Sequence, residues 1–135
     1  MDILKRDNAP DLAFVKSEGN ADLPTIMFLG GFCSDMEGTK ATYLEEQCQS
    51  RGQNYVRFDY RGHGRSEGVF EEACISDWAQ DAIDILDSCT SGSVVLVGSS
   101  MGGWISFLTA LKRLERVQAI IGLAAAPDFT IWMQA

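Results

Sequence analysis

The fold of this protein is decided by one stretch of its sequence, Ser93-Val-Val-Leu-Val-Gly-Ser-Ser-Met-Gly-Gly-Trp104. The run 93–97 is apolar after its first serine, which predicts a short buried strand. Residues 104–114 repeat apolar side chains at helical spacing, which predicts an amphipathic helix. The glycine-rich segment between them therefore joins a strand to a helix.

The flanking sequence repeats this alternation of strand and helix. Further strands are predicted at 25–29, 55–58 and 117–126, and further helices at 40–51 and 76–89, the latter with Ser76 as N-cap. Strands separated by such helices form βαβ units, whose parallel sheet is covered on both sides. The fold class is therefore α/β, a parallel β-sheet with helices on both faces. The 135 residues suffice for a single domain with one core.

The joining segment fits the pattern G-x-S-x-G, with Gly98 and Gly102 two positions either side of Ser100. At a turn from strand to helix, this pattern is typical of a nucleophile elbow, in which a strained serine holds its hydroxyl clear of the sheet. Glycine is expected at both flanking positions because a Cβ there would collide with neighbouring backbone, and Ser99 is expected to point into the packing. We predict Ser100 as a nucleophile. The alternative is a glycine-rich turn that serves only close packing of helix and strand.

A serine that attacks an acyl group also needs N–H donors for the oxyanion that forms. One donor is the amide of the residue after the nucleophile, Met101. The other is expected in the loop after the 25–29 strand, Gly30-Gly-Phe-Cys33, where glycines let the backbone turn an amide inward. We predict the Phe32 N–H as this second donor. The alternative is an ordinary turn between strand and helix.

Charge and the rarer residue types bear on other functions. Lys and Arg total 11 against 19 Asp and Glu, a net charge of −8, so we expect no nucleic-acid partner. The chain has one histidine, and its four cysteines are too widely spaced for a metal knuckle, so we expect no metal site. We expect the cysteines to be reduced thiols that are mostly buried.

The N-terminus and the apolar runs bear on location. The first residues are charged and lack the apolar stretch of a secretory signal peptide. No apolar run in the sequence is long enough to span a membrane. From these two observations we expect a cytoplasmic protein without a membrane span.

Four stretches of the chain carry a family resemblance: Phe28–Ala41, Arg57–Ser66, Leu96–Trp104 and Gly122–Phe129. They are similar to the N-terminal half of an α/β-hydrolase. The resemblance is greatest to the branch that contains mycophenolic acid acyl-glucuronide esterase, a mammalian palmitoyl-protein thioesterase and their bacterial relatives. It implies a serine esterase or thioesterase that acts on a small-molecule acyl ester or thioester and needs no cofactor. Many relatives have His-Gly where this chain has Gly30-Gly31, but both pairs supply a main-chain donor.

In this family the nucleophile is followed along the chain by an Asp or Glu and then by a His. No histidine follows Ser100, and the single histidine, His63, lies on the loop after the 55–58 strand, too far away for a general base. Asp128 is one candidate for the triad acid, although the resemblance places the acid one strand later. We therefore expect the acid and the histidine beyond the end of this chain, in a C-terminal part that is absent. We expect residues 1–135 alone to be inactive.

The segment 119–126 is nearly all apolar, as in a strand with neighbours on both sides. If the chain is a fragment truncated after this strand, the strand becomes an open apolar edge, and we expect self-association through it. The sequence thus predicts a serine hydrolase of carboxylic esters or thioesters. The alternative is a non-catalytic module of the same fold, or an inactive fragment, that binds a ligand or partner through the edge.

Overall fold

The computed structural model of the chain describes residues 1–123. In this range the strands are β1 (Asp2–Leu4), β2 (Leu12–Ser17), β3 (Thr25–Leu29), β4 (Tyr55–Phe58), β5 (Val94–Ser99) and β6 (Val117–Leu123). The helices are α1 (Thr39–Arg51), α2 (Ile75–Cys89) and α3 (Met101–Lys112), with a 3₁₀ turn at Phe70–Glu72.

These strands form one sheet in the order β1-β2-β4-β3-β5-β6. β3 is parallel to both its neighbours, β4 and β5, and β5 is parallel to β6. β1 and β2 extend the sheet as antiparallel strands, with Phe14 of β2 opposite Phe58 of β4. The α/β fold class is confirmed, but the sheet is mixed rather than wholly parallel. The sequence analysis predicts neither β1 nor β2. β1 has three residues and is mostly exposed, and its conformation comes from pairing with β2.

Helices cover both faces of the sheet, as predicted. On one face, α1 places Ala41 and Cys48 against Phe28 of β3. On the other face, Ile85 of α2 and Ile105 of α3 join the larger core that contains Met27. Met27 and Phe28 are adjacent in β3 and so point to opposite faces. Burying one such large side chain contributes about 1.5–3 kcal/mol, so each helix is held mainly by packing.

The starts of α3 and α2 differ from the prediction. α3 begins at Met101 rather than Trp104, because the chain turns from strand to helix within the single residue Ser100. α2 is capped by Cys74 rather than Ser76, since the Asp77 carboxylate accepts the Cys74 N–H at 3.0 Å. Among residues 1–123, the structure contains no helix long and apolar enough to cross a membrane.

β6 is an edge of the sheet within the part of the chain that the structure describes, because it pairs there with β5 alone. Ile121 of this strand is 49% exposed. Residues 124–126, which the apolar pattern assigns to the same strand, lie outside the described range. Self-association through this edge stays a prediction.

A buried charged cluster ties the N-terminal segment to α2. Asp81 is fully buried, and its Oδ1 lies 2.9 Å from Arg6 Nη1 and 2.8 Å from Arg61 Nη2. Arg61 also donates its backbone N–H to Asp81 Oδ2 at 2.8 Å. The sequence pattern does not indicate this cluster, because its members lie on three separate segments.

The four cysteines divide into two classes. Cys48 and Cys89 are buried, whereas Cys33 and Cys74 are exposed, and all four are free thiols. The expectation of mostly buried thiols is therefore right for only two of them. Burial raises the pKa of the Cys89 thiol to about 11.

Candidate active site

Ser100 lies at the junction of β5 and α3 in a strained backbone conformation. Its φ is 55° and its ψ is −117°, a region that side chains with a Cβ rarely occupy. Two backbone hydrogen bonds hold it there: the Ser100 N–H donates to the Leu123 carbonyl at 3.1 Å, and the Gly103 N–H donates to the Ser100 carbonyl at 2.9 Å. The residue is exposed although its neighbours Ser99 and Met101 are buried. This geometry presents the hydroxyl at the carboxyl end of the sheet and at the N-terminus of a helix.

The flanking glycines occupy positions that leave no room for a side chain. A Cβ on Gly98 would collide with the carbonyl oxygen of Gly102. A Cβ on Gly102 would collide with the carbonyl oxygen of Leu29, on the neighbouring strand β3. The tight strand-to-helix turn therefore requires glycine at both positions, which gives the G-x-S-x-G spacing a steric cause.

The loop after β3 lies beside Ser100. A Cβ built on Gly31 would be 3.5 Å from the Ser100 Cβ, in ordinary contact. Gly31, Phe32 and Ser100 line one cavity of about 420 Å³, together with residues at the start of α1. The structure thus brings together Ser100 and the loop in which the sequence predicts an oxyanion donor. Met101 is the first residue of α3, where N–H groups and the helix dipole favour negative charge.

Lys40 is a cavity residue that the sequence analysis does not identify. Its Nζ donates to Ser99 Oγ at 3.1 Å, next to the proposed nucleophile. Ser99 is buried, as expected, but its hydroxyl accepts this bond rather than serving packing alone. Lys40 falls within the Phe28–Ala41 stretch that carries the family resemblance. This resemblance is the sequence feature that could have identified Lys40 as a residue of the site.

The two ring nitrogens of His63 both face backbone groups rather than Ser100. It is buried, and its Nε2 accepts the Cys33 N–H at 3.3 Å. Its Nδ1 lies 3.1 Å from the Arg61 carbonyl, which can only accept a hydrogen bond, so Nδ1 carries the proton. With both nitrogens bonded to backbone, His63 has no free nitrogen with which to take a proton from Ser100. Asp128, the candidate acid, lies outside the described residues.

The segment after β4 contacts the loop after β3 at further points. The Tyr60 hydroxyl donates to the Gly30 carbonyl at 3.0 Å. The Asp59 carboxylate accepts the Met36 N–H at 2.7 Å and the Arg65 N–H at 3.0 Å. Burial raises the pKa of Asp59, although these two N–H donors oppose the shift. Within residues 1–123 no group of three or more His, Cys, Asp and Glu side chains is arranged to hold a metal ion.

A family model described as alpha/beta hydrolase fold matches residues 24–135. The chain belongs to the α/β-hydrolase family. It is 43% identical over 125 residues to the cattle protein named palmitoyl-protein thioesterase ABHD10, mitochondrial, an alignment that covers 93% of this chain and 40% of that protein. The human protein of the same name is 43% identical over 128 residues, which cover 95% of this chain and 41% of its own length. The chain therefore spans about two fifths of the length of these curated relatives.

Solved structures agree with this assignment. Alpha/beta hydrolase domain-containing protein 10 from mouse superposes with a TM-score of 0.93 at 39% identity, covering 98% of this chain and 53% of that one. A hydrolase from Agrobacterium vitis S4, described as putative in its name, superposes with a TM-score of 0.87 at 36% identity, covering 96% and 52%.

The expectation of a cytoplasmic location is wrong. The mammalian relatives are named as mitochondrial proteins, which points to mitochondria rather than to the cytoplasm. The expectation relied on the missing apolar stretch of a secretory signal. Mitochondrial transit peptides are amphipathic rather than apolar, so that observation does not separate the two locations.

Proposed function

We propose that this chain carries the nucleophile of a serine hydrolase that cleaves carboxylic esters or thioesters through an acyl-enzyme on Ser100. The observation that carries the proposal is the conformation of Ser100. A serine held at φ 55° and ψ −117°, exposed on the wall of a cavity of about 420 Å³, stores strain that a simple packing turn does not need. Glycine in its place would form the same turn without that strain.

The chemistry follows from the surroundings of Ser100. The general base takes the proton of the Ser100 Oγ as this oxygen attacks the acyl carbonyl carbon. The bond to the alcohol or thiol then breaks, and the base gives the proton to this leaving group. Water, activated by the same base, hydrolyses the acyl-enzyme to a carboxylic acid and restores Ser100. The carbonyl oxygen becomes an oxyanion, which we assign to the amides of Met101 and Phe32. One such donor is worth about 2.7–4 kcal/mol of transition-state stabilisation in a serine hydrolase. The N-terminus of α3 adds its dipole at the same place.

The general base is expected outside residues 1–135. The chain has a single histidine, and both nitrogens of His63 are bonded to backbone groups. Without a base, the Ser100 hydroxyl does not lose its proton at neutral pH. We therefore propose that residues 1–135 alone are inactive and that the triad acid and histidine belong to a segment that follows them in the full-length protein. The names of the mammalian relatives favour an acyl thioester, such as a palmitoyl thioester, as substrate.

The test is active-site labelling of the full-length protein with a fluorophosphonate, which reacts only with an activated serine. The wild type should be labelled on Ser100, and Ser100→Ala should not be labelled. Ser93→Ala is the matched control, because Ser93 lies at the opposite end of β5, outside the cavity, and this variant should be labelled like the wild type. Absence of label on the folded wild type would overturn the proposal in favour of a non-catalytic module. Hydrolysis of a panel of acyl esters and thioesters then identifies the preferred bond.

A further inference from the structure

We propose that His63 is a positioning residue for the oxyanion loop, which we define as residues 30–33. Its role is to accept the Cys33 N–H and so to fix the Phe32–Cys33 peptide, which is next to the peptide that carries the Phe32 N–H. The inference rests on the proposed function, since it gives the loop the oxyanion role stated above. It assigns a task to the single histidine of the chain, which the proposed mechanism does not use.

Cys33 needs such a partner because its backbone is strained. Its φ is 57°, in the left-handed region that residues with a Cβ avoid at a cost of about 1–3 kcal/mol. Such a conformation persists only where surrounding groups impose it. The Cys33 side chain is exposed, so burial of the thiol does not hold it. Two contacts hold it: the local turn in which the Ser34 hydroxyl donates to the Gly31 carbonyl at 2.8 Å, and the hydrogen bond from the Cys33 N–H to His63 Nε2 at 3.3 Å. The second contact joins this residue to a buried side chain.

His63 is suited to this task because the ring itself is fixed. It is buried, and its ring packs edge-on against Trp78 at 5.2 Å and against Phe70 at 5.2 Å between centroids. The Arg61 carbonyl, 3.1 Å from Nδ1, sets the tautomer and leaves the lone pair of Nε2 facing Cys33. The imidazole is thus a rigid hydrogen-bond acceptor, because Phe70, Trp78 of α2 and the Arg61 carbonyl fix its position.

Two neighbouring residues of the same segment bond the chain at Gly30, where the loop begins, and at Met36, three residues after it ends. Tyr60 bonds the Gly30 carbonyl at 3.0 Å, and Asp59 bonds the Met36 N–H at 2.7 Å. His63 bonds Cys33 between these two points. The segment 59–63 therefore bonds the chain between residues 30 and 36 at three places. The His63 bond is to the Phe32–Cys33 peptide, directly after the Gly31–Phe32 peptide, whose carbonyl accepts the Ser34 hydroxyl at 2.8 Å.

Two substitutions at His63 test the proposal in the full-length protein. His63→Leu removes the acceptor, whereas His63→Gln keeps an oxygen acceptor near the position of Nε2. Ser66→Ala is the matched control on the same turn: the Ser66 hydroxyl donates to the Asp59 carbonyl at 2.6 Å and accepts the Ala13 N–H at 2.8 Å, but it makes no bond to residues 30–36. Hydrogen exchange of the peptide spanning 30–36 and steady-state kinetics on an acyl thioester are measured for each variant.

We expect His63→Leu to lower kcat by about 10-fold or more, approaching the 10²–10³-fold effect of losing one oxyanion donor, with KM changed less than about threefold. Exchange in residues 30–36 should become faster. His63→Gln should recover most of kcat and of the protection. Ser66→Ala should lower the urea midpoint but leave kcat and the exchange of residues 30–36 unchanged.

Three results would overturn the proposal: unchanged exchange and kcat in His63→Leu, equal loss of kcat in Ser66→Ala, or no recovery in a folded His63→Gln. Failure of the proposed function is distinguishable, because it shows as a wild type that does not react with fluorophosphonate. In that case hydrogen exchange of residues 30–36 is the remaining test. Faster exchange in His63→Leu but not in Ser66→Ala supports positioning of the loop, and equal exchange in the two variants refutes it.

Discussion

Replacing Ser100 by glycine is expected to stabilise the protein while removing its proposed nucleophile. The backbone angles of Ser100, φ 55° and ψ −117°, suit glycine and are unfavourable for any residue with a Cβ. Holding a non-glycine residue in such a conformation costs about 1–3 kcal/mol. Glycine loses more backbone entropy on folding, which offsets about 0.5–1 kcal/mol of the gain. The free energy of unfolding should therefore rise by about 1 kcal/mol.

Ser100→Ala is the matched control for this experiment. It removes the same hydroxyl but keeps the Cβ, and hence the backbone strain. The assay is urea unfolding of the full-length protein, followed by circular dichroism. With a slope of about 2 kcal/mol per molar urea, a gain of about 1 kcal/mol raises the midpoint by about 0.5 M. The glycine variant should unfold at higher urea than both the wild type and the alanine variant.

The difference in stability between the glycine variant and the alanine variant tests the strain argument. An alanine variant that is as stable as the glycine variant would refute the strain argument, because the two differ only in the Cβ and in backbone freedom. A glycine variant less stable than the wild type would show that the entropy of glycine outweighs the strain. Either outcome would contradict the expectation that relief of backbone strain at position 100 stabilises the protein.

Three other perturbations have defined outcomes. Gly98→Ala should lower the free energy of unfolding by about 1–3 kcal/mol, measured in urea, because the new Cβ overlaps backbone that belongs to the elbow turn; stability equal to the wild type would contradict this overlap. Asp81→Ala should cost about 3–5 kcal/mol in the same assay, because it leaves Arg6 and Arg61 without their shared carboxylate; a loss below about 1 kcal/mol would mean that water replaces the carboxylate. Burial raises the pKa of Cys89 from 9.0 to about 11, so between these pH values the unfolded state loses a proton that the folded state keeps, and stability falls as pH rises. The stability of the wild type relative to Cys89→Ala should therefore decrease from pH 9 to pH 11, and a constant difference would argue against a buried neutral thiol.

The sequence alone predicts the central strands with little error. The observed bounds of β3, Thr25–Leu29, and of β4, Tyr55–Phe58, are those indicated by the apolar runs. These runs can be recognised because strands covered by helices on both faces are nearly continuous in apolar residues. The elbow is equally readable, since only glycine fits at Gly98 and Gly102, and a steric requirement of this kind leaves a fixed spacing in the sequence.

Other features depend on contacts between distant segments. β1 and β2 become strands by pairing, the Asp81 cluster joins three segments, and Lys40 meets Ser99 across the cavity. None of these contacts has a periodicity or a local motif, because each partner is chosen by its position in space. His63 shows the limit most clearly: its sequence position suggests a turn residue, and only the folded structure brings its Nε2 to Cys33.

The sequence by itself therefore determined the α/β fold class, the order of the central strands and helices along the chain, and the serine at the elbow. Each of these follows from local rules, namely the alternation of apolar runs and the space available to a side chain. Only the tertiary structure decided which groups hold the loop beside Ser100 and where Lys40 and His63 make their hydrogen bonds. Those choices are made by hydrogen bonds between residues far apart in sequence, and their geometry exists only once the sheet has assembled.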